Sequence, residues 1–231
     1  MKPNNQQPSE SPPEIKHDPA FIAQQLRRPS GDFASEVGQK MDQVNESLYD
    51  MTLDVLEPED NDRILEIGFG TGKFFDKLFA RANGLQLSGI DFSEAMVETA
   101  KKHNSEAISS GKLEIKSASS EGIPFPDQTF DKVFCNMVIY FWDKPEKHLK
   151  EIQRVLKPKG TFYTGVRTRE SMLVFPFVQY GFNLYTTEEW EEMLVQNGLS
   201  QRETICRKDP KTEVDGNKLR LDSCCIVAEH S

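Results

Sequence analysis

The sequence lacks a long apolar run, and no stretch approaches the ~20 residues that a membrane-spanning helix needs. The N-terminus also lacks the apolar core that a secretory signal peptide requires. Because both features are missing, we predict a cytoplasmic protein without a membrane span.

Basic residues are too few to balance the acidic ones. The chain has 28 Lys and Arg against 37 Asp and Glu, which gives a formal net charge of -9. An acidic surface repels phosphate backbones, so we expect no nucleic-acid partner. The short basic stretches at Arg27-Arg28, at Lys157-Pro-Lys159, and at Arg167 with Arg169 are typical of solvated surface or of helix ends.

Cysteine is also scarce. The four cysteines are Cys135, Cys206, Cys224 and Cys225. Each lies in or beside an apolar, strand-like run, and none has the paired spacing of a zinc site or a disulfide framework. We therefore predict buried thiols in a reducing compartment, and no metal site.

The 231 residues suffice for one α/β domain of ordinary size. Residues 1–18 are rich in Pro, Asn, Gln, Ser and Glu, which predicts a disordered tail. Apolar residues then recur at helical spacing, so residues 19–57 are predicted to form an N-terminal helical cap. Residues 58–231 are predicted to form the main domain.

Strand-like and helix-like segments alternate through most of the main domain. This alternation predicts a mostly parallel sheet with right-handed crossovers. Two final strand-like runs, at 200–207 and 223–229, are joined by a polar loop that is typical of an antiparallel hairpin. The five earlier strands are predicted at 63–67, 86–90, 112–116, 130–136 and 161–166.

A glycine-rich turn joins the first strand to the first helix of this domain. Gly68, Gly70 and Gly72 allow a ligand to approach the backbone, and the helix N-terminus favours polar groups. Lys73 stands where the dinucleotide fingerprint places its last glycine, which disfavours a pyrophosphate. Asp91 ends the second strand, where a carboxylate can accept hydrogen bonds from ribose hydroxyls. Together these features indicate a nucleoside ligand without the pyrophosphate.

The turn is one of five ordered blocks spread over 63–198. Together they resemble the class I methyltransferases that use S-adenosylmethionine, and this resemblance implies a Rossmann-like, doubly wound fold. The predicted fold is therefore α/β, with a mostly parallel sheet, a C-terminal antiparallel hairpin strand and an N-terminal helical cover. The blocks are Leu-Glu-Ile-Gly-Phe-Gly-Thr-Gly at 65–72, Gly-Ile-Asp-Phe-Ser-Glu-Ala-Met at 89–96, and the segments 119–131, 148–160 and 185–198.

The resemblance implies S-adenosylmethionine as cofactor and assigns it a set of binding residues. The first block and Asn136 would surround the methionine part, and Asp91 would bind the ribose. Ser119 stands where many relatives have an acid that bonds the adenine amino group, and a serine accepts that bond more weakly. The predicted cofactor residues are Tyr49 (as a lid), Glu66, Gly68, Gly70, Gly72, Asp91, Phe92, Met96, Ser119, Ser120, Glu121 and Asn136.

The predicted reaction is in-line transfer of a methyl group to an O, N or C atom of a small molecule. The donor is already activated, so no universal catalytic residue is expected, and a base is needed only when the acceptor loses a proton. His148 is more typical of an exposed or packing histidine than of a base. An aromatic cluster over 175–185 is equally compatible with a hydrophobic cover and with an acceptor pocket. Further candidates near the acceptor are Met41, Asn45, Tyr140, Trp142, Arg167, Tyr180 and Tyr185.

Other functions remain open at this point. A module that binds S-adenosylmethionine without catalysis would have the same motifs. A nicotinamide-dependent oxidoreductase is disfavoured by Lys73. A thiol-dependent methylation is disfavoured because the cysteines lie in strands, away from an exposed electropositive setting.

Overall fold

The computed structural model describes residues 17–214 and 217–230. Residues 1–16 of the predicted tail lie outside the described residues. The strands are β1 (Arg63–Ile67), β2 (Gln86–Asp91), β3 (Leu113–Ser117), β4 (Phe130–Asn136), β5 (Leu156–Arg167), β6 (Leu199–Arg207), β7 (Lys211–Val214), β8 (Asn217–Arg220) and β9 (Ser223–His230). The helices are α1 (Pro19–Arg27), α2 (Ala34–Leu56), α3 (Phe75–Phe79), α4 (Glu94–His103), α5 (Ser105–Ser109), α6 (Pro145–Val155), α7 (Arg169–Leu173) and α8 (Thr187–Gln196). Short 3₁₀ segments lie at Gly31–Phe33, Ile139–Phe141 and Pro176–Gln179.

Within the described residues, seven strands form the main sheet in the order β3-β2-β1-β4-β5-β9-β6. The first five of these pair in parallel, and β9 pairs antiparallel with both β5 and β6. This arrangement confirms the predicted α/β fold and its antiparallel C-terminal hairpin. The sequence did not predict the small β7–β8 hairpin that interrupts the connection between β6 and β9.

The strand order reverses between β1 and β4. From β1 the chain passes outward to β2 and β3, then returns to β4 on the other side of β1. In open α/β sheets a crevice opens at such a reversal, outside the carboxyl ends of the strands. The topology therefore places a ligand crevice beside the glycine-rich turn that follows β1.

Helix α2 lies across one face of the sheet. Its second half is buried, with Leu48, Leu53 and Leu56 fully covered, and it packs against β5 and β9. The helix ends at Glu57, which adopts a left-handed conformation with φ 42° and precedes a proline. Since the buried half fixes the helix to the sheet, its first half is carried over the crevice.

Helices α6 and α8 pack on the opposite face. Leu149, Ile152 and Val155 of α6 are buried, as the helical spacing predicts. Thr186 and Glu189 form a capping box at the start of α8. The sequence pattern predicts the cap at Thr187, one residue later. Trp190 of α8 is buried and donates a hydrogen bond to Thr164 of β5. The sheet is thus covered by helices on both faces, as in doubly wound folds.

The structure corrects one prediction about the cysteines. Cys206 and Cys224 form a disulfide across β6 and β9, where the two residues are direct cross-strand partners. Cys135 and Cys225 are free and buried, as predicted. The sequence spacing gives no sign of the bridge, because the antiparallel pairing of the two strands alone brings these positions together.

Across residues 17–214 and 217–230, no helix has the length and apolar character that crossing a bilayer requires.

Candidate functional site

A cavity of about 400 Å³ opens at the carboxyl ends of β1, β2 and β4. Helices α1 and α2 cover it, and the segment after β4 closes one side. This is the place where the strand order reverses, so the topology and the cavity agree on the site.

The glycine-rich turn forms the floor of the cavity. Gly70 has φ 59° and no atom within 4 Å of the position of a Cβ, so its backbone is open to a ligand. A Cβ on Gly68 would lie 2.5 Å from Val138. Gly72 is not among the lining residues; a Cβ there would lie 2.7 Å from Ala100 of α4. The backbone at Gly70 is thus open to the cavity, whereas Gly72 packs the turn closely against α4.

Asp91 presents a buried carboxylate at the end of β2. One oxygen accepts a hydrogen bond from the Gly70 N–H at 3.0 Å, and the other accepts from the Ser93 N–H at 2.9 Å. Burial raises the pKa of Asp91 to about 6, although the backbone N–H groups act in the opposite direction. The carboxylate is therefore held rigidly at the cavity wall and retains lone pairs for a ligand.

Glu66 and Tyr49 connect the floor of the cavity to its helical cover. The Tyr49 hydroxyl, from α2, donates to Glu66 Oε2 of β1 at 2.9 Å. Burial raises the pKa of Glu66 to about 8, and the nearby Asp91 adds to the rise while the tyrosine lowers it. A ligand cation beside this carboxyl would favour its ionised form.

Asn136 ends β4 on the other side of β1. Its Oδ1 accepts a hydrogen bond from Thr52 of α2 at 2.7 Å, while its buried Nδ2 has no partner among the described residues. Met137 follows with φ 61°, an uncommon backbone conformation for a residue other than glycine. A buried amide N–H without a partner and local strain together are typical of a ligand site.

The far end of the cavity follows β3. Phe92, Met96, Ser119, Ser120 and Glu121 all line it. His148 of α6 and Trp142 lie against the same wall, with their rings stacked at 4.5 Å between centroids. The sequence predicts either an exposed or a packing histidine here. His148 is 6% exposed, so it is a packing residue and not an exposed one.

Eleven of the twelve predicted cofactor residues line this one cavity, Gly72 being the exception. Met41, Asn45, Trp142 and His148 line it as well. The candidates Tyr140, Arg167, Tyr180 and Tyr185 do not, and none of the aromatic residues at 175–185 is a lining residue. Phe182 packs on Phe141, which does line the cavity, so the cluster covers the core behind the site.

Sequence reasoning missed several lining residues. Asp42 of α2 accepts hydrogen bonds from the Thr71 hydroxyl in the glycine-rich turn, at 2.8 and 2.9 Å. Its spacing from Asn45 and Tyr49 on one helix face was an available signal. Arg27 and Asp143 form an ion pair at 2.8 Å beside the cavity. They are far apart in the chain, so no local pattern indicated their contact.

The residues present fit S-adenosylmethionine. The open backbone at Gly70 admits a ligand, the Asp91 carboxylate can accept from ribose hydroxyls, and Glu66 offers a carboxyl to an ammonium group. The unpartnered Asn136 N–H offers a donor at the same end as Glu66. Polar groups thus stand along the cavity in the order that a nucleoside carrying an amino acid requires.

Comparison with known proteins supports the same family. A family model described as a methyltransferase domain matches residues 65–164. The uncharacterized methyltransferase YdaC of Bacillus subtilis is 32% identical over 127 residues, which cover 55% of this chain and 68% of YdaC. The ubiquinone/menaquinone biosynthesis C-methyltransferase UbiE of Geotalea daltonii is 37% identical over 101 residues, 43% of each chain.

Solved structures show the same fold. A chain solved in complex with the Haloferax volcanii Trm112 methyltransferase activator superposes with a TM-score of 0.75 at 21% identity, over 85% of this chain and 95% of that one. Geranyl diphosphate methyltransferase, solved with sinefungin, gives a TM-score of 0.66 at 15% identity, over 80% and 77% of the two chains. With the sequence matches and the geometry of the cavity, the chain belongs to the class I methyltransferases that use S-adenosylmethionine.

Proposed function

We propose that the protein transfers the methyl group of S-adenosylmethionine to an O, N or C atom of a small molecule that enters the same cavity. The observation that carries this proposal is the composition of the cavity wall. Beyond the predicted cofactor residues, the wall includes Met41 and Asn45 from α2 and Phe141 after β4. These side chains form a mainly apolar subsite with one amide, which suits a small organic acceptor.

The size and cover of the cavity also support a small acceptor. A volume of about 400 Å³ leaves little room once a cofactor is bound. Arg27 of α1 and Asp143 pair across the wall, and the Ser93 hydroxyl donates to the Pro29 carbonyl at 2.6 Å. These contacts hold the N-terminal cover over the site, where it would exclude water during transfer.

S-adenosylmethionine supplies a methyl group that its sulfonium sulfur already activates. The chain then has to bind and orient the two reactants, so that an acceptor atom lies about 3–3.5 Å from the methyl carbon and in line with the bond that breaks. In this proposal Asp91, Glu66 and Asn136 hold the donor. Residues of α2 and of the segment after β4 hold the acceptor and exclude water.

The test combines turnover with cofactor binding. Metabolite fractions are screened for release of S-adenosylhomocysteine by the full chain, and a fraction that supports release identifies the acceptor. Asp91→Ala should weaken S-adenosylhomocysteine binding by about 1–3 kcal/mol, because charged hydrogen bonds are lost. Calorimetry measures this change.

Asp76→Ala is the matched control, since Asp76 is exposed on α3 and does not line the cavity. Unchanged affinity in Asp91→Ala would remove Asp91 from the cofactor site. Cofactor binding without release in any fraction would favour a binding module over an enzyme that acts on small molecules.

A further inference from the structure

The base of the bound nucleoside has one direction available to it. Asp91 pairs with Ser117 across β2 and β3, and the Ala118 N–H donates to the Asp91 carbonyl at 3.0 Å. If the ribose lies at Asp91 and the methionine part at Glu66, the base extends the other way, over the residues that follow β3. The inference below rests on this placement and thus on the proposed cofactor site.

Ser119 is a poor recognition group for that base. It is exposed, and its hydroxyl oxygen accepts a hydrogen bond from the Glu121 N–H at 3.2 Å, which forms a local turn. The acid that many relatives have at this position is missing. A second acceptor at this end of the cavity could then bond the amino group of adenine.

The position of Ser120 suits such an acceptor. It is 6% exposed, lines the cavity, and its Oγ lies 2.8 Å from Nδ1 of His148. The His148 ring stacks on Trp142 with an interplanar angle of 5°, which restricts rotation of the imidazole out of this plane. Ser120 and His148 therefore form a fixed pair in the cavity wall.

The protonation of His148 decides what the serine hydroxyl can do. Burial lowers the pKa of His148 to about 4, although the carboxylates of Glu121, Asp143 and Glu146 oppose this. The ring is then neutral near pH 7 and has one N–H. Glu121 Oε1 lies 3.7 Å from Nε2, which favours the proton on that nitrogen. Nδ1 is left as an acceptor, so the Ser120 hydroxyl donates its only proton to it.

We propose that His148 is a positioning residue that holds the Ser120 hydroxyl as an acceptor for the 6-amino group of adenine. A hydroxyl whose proton is committed to His148 can accept from an amino group but cannot donate to a keto group. The pair therefore selects a 6-amino purine against a 6-keto purine. In this chain it takes over the task of the missing acid at Ser119.

The experiment compares two ligands on the full chain by calorimetry. One is S-adenosylhomocysteine, and the other is its analogue with oxygen in place of the 6-amino group. The unmodified protein should bind the amino ligand at least tenfold more tightly. His148→Phe keeps a ring for stacking on Trp142 but frees the serine proton, so the ratio should fall to less than threefold.

Two further variants separate positioning from simple packing. His148→Asn places an amide oxygen near the former Nδ1, so Ser120 can still donate and the ratio should be restored. Ser120→Ala removes the acceptor and should lower the ratio even if His148→Phe does not fold. His230→Phe is the control, because His230 does not line the cavity and its Nδ1 lies 3.2 Å from the Lys157 carbonyl; its ratio should equal that of the unmodified protein.

A ratio that stays at least tenfold in folded Ser120→Ala or His148→Phe overturns the proposal. Loss of the preference in His148→Asn as well would assign His148 a packing role only, which also overturns it. Failure of the proposed function gives a different result, since Asp91→Ala would then bind S-adenosylhomocysteine as tightly as the unmodified protein.

Discussion

The two buried carboxyls at the cavity lack a counter-ion among the described residues, whereas the buried charges beside β5 and β9 are paired. Among the described residues, Glu66 and Asp91 form no ion pair, and burial raises the pKa of both. On the other side, Arg167 and Asp209 are almost fully buried and contact each other directly. The expectation that Arg167 lies on the solvated surface is therefore wrong, because it ends β5 inside the fold. The unpaired side faces the cavity, and the paired side lies away from it.

The network around Arg167 shows what the paired side does. Its guanidinium donates to the carbonyl of Val44 in α2 at 2.8 Å, and Asp209 accepts from Ser47 at 2.6 Å and from Ser223 at 2.8 Å. These bonds join α2 to the C-terminal hairpin. In the proposed function the unpaired carboxyls bind the ligand, while the paired ions fix the helix that covers the cavity.

The largest effect is expected when the counter-ion on the paired side is removed. Asp209→Ala should lower the free energy of unfolding by about 3–5 kcal/mol, because Arg167 then stays buried without its partner. Urea titration followed by circular dichroism measures the loss.

Asp127→Ala is the control, since its ion pair with Arg154 is exposed and its loss should cost no more than about 1 kcal/mol. Equal effects of the two variants would mean that the buried pair adds nothing beyond a surface pair.

The disulfide on the same side gives the next largest effect. Cys206 and Cys224 are 18 residues apart in the chain. A disulfide that closes a loop of this length stabilises the folded protein by about 3 kcal/mol. Reductant should lower the unfolding midpoint of the unmodified protein and leave that of the double variant Cys206→Ser, Cys224→Ser unchanged. Equal midpoints with and without reductant would contradict a stabilising bridge. The cytoplasmic location stays a prediction, and a reducing compartment would keep these residues as thiols.

The unpaired side should respond to pH instead. The pKa of Glu66 is about 8 in the folded protein against an ordinary value of 4.5, so the folded state binds more protons. The contribution of Glu66 to stability is then fully present below about pH 4.5 and is lost as pH rises through about 8, by up to about 1.4 kcal/mol per pH unit. Glu66→Gln should remove most of this slope between pH 7 and 8, because Asp91 titrates lower, at about 6.

Thermal unfolding of the ligand-free protein across that range checks the prediction. A slope that persists in Glu66→Gln would assign the pH dependence to another group and would weaken the contrast between the two sides.

Much of the fold was predictable because it depends on local patterns. The apolar runs predicted all seven strands of the main sheet, six of them to within one residue at each end, while β5 begins at Leu156, before its predicted start. The capping residues predicted α8 to within one residue. The sequence pattern predicts a helix from Lys73, whereas α3 begins at Phe75. The glycine-rich turn extends over the positions before it. The β7–β8 hairpin was missed because its polar residues give no strand signal.

The site was predictable where one chain segment carries the chemistry. The turn at 65–72 and Asp91 follow adjacent strands, so their positions predict a shared site. Arg27 with Asp143 and Ser120 with His148 come from separate segments, and no spacing along the chain shows that they meet. His148 in particular has the sequence context of an ordinary packing residue on an amphipathic helix.

The sequence by itself determined the order of strands and helices, the glycine-rich turn, and the carboxyls that line the cavity, because each depends on residues close together in the chain. Only the tertiary structure decided which polar groups are paired and which are left for a ligand. It also decided the Cys206–Cys224 bridge and the neutral state of His148. Burial and partners set these properties, and both arise when distant segments pack together.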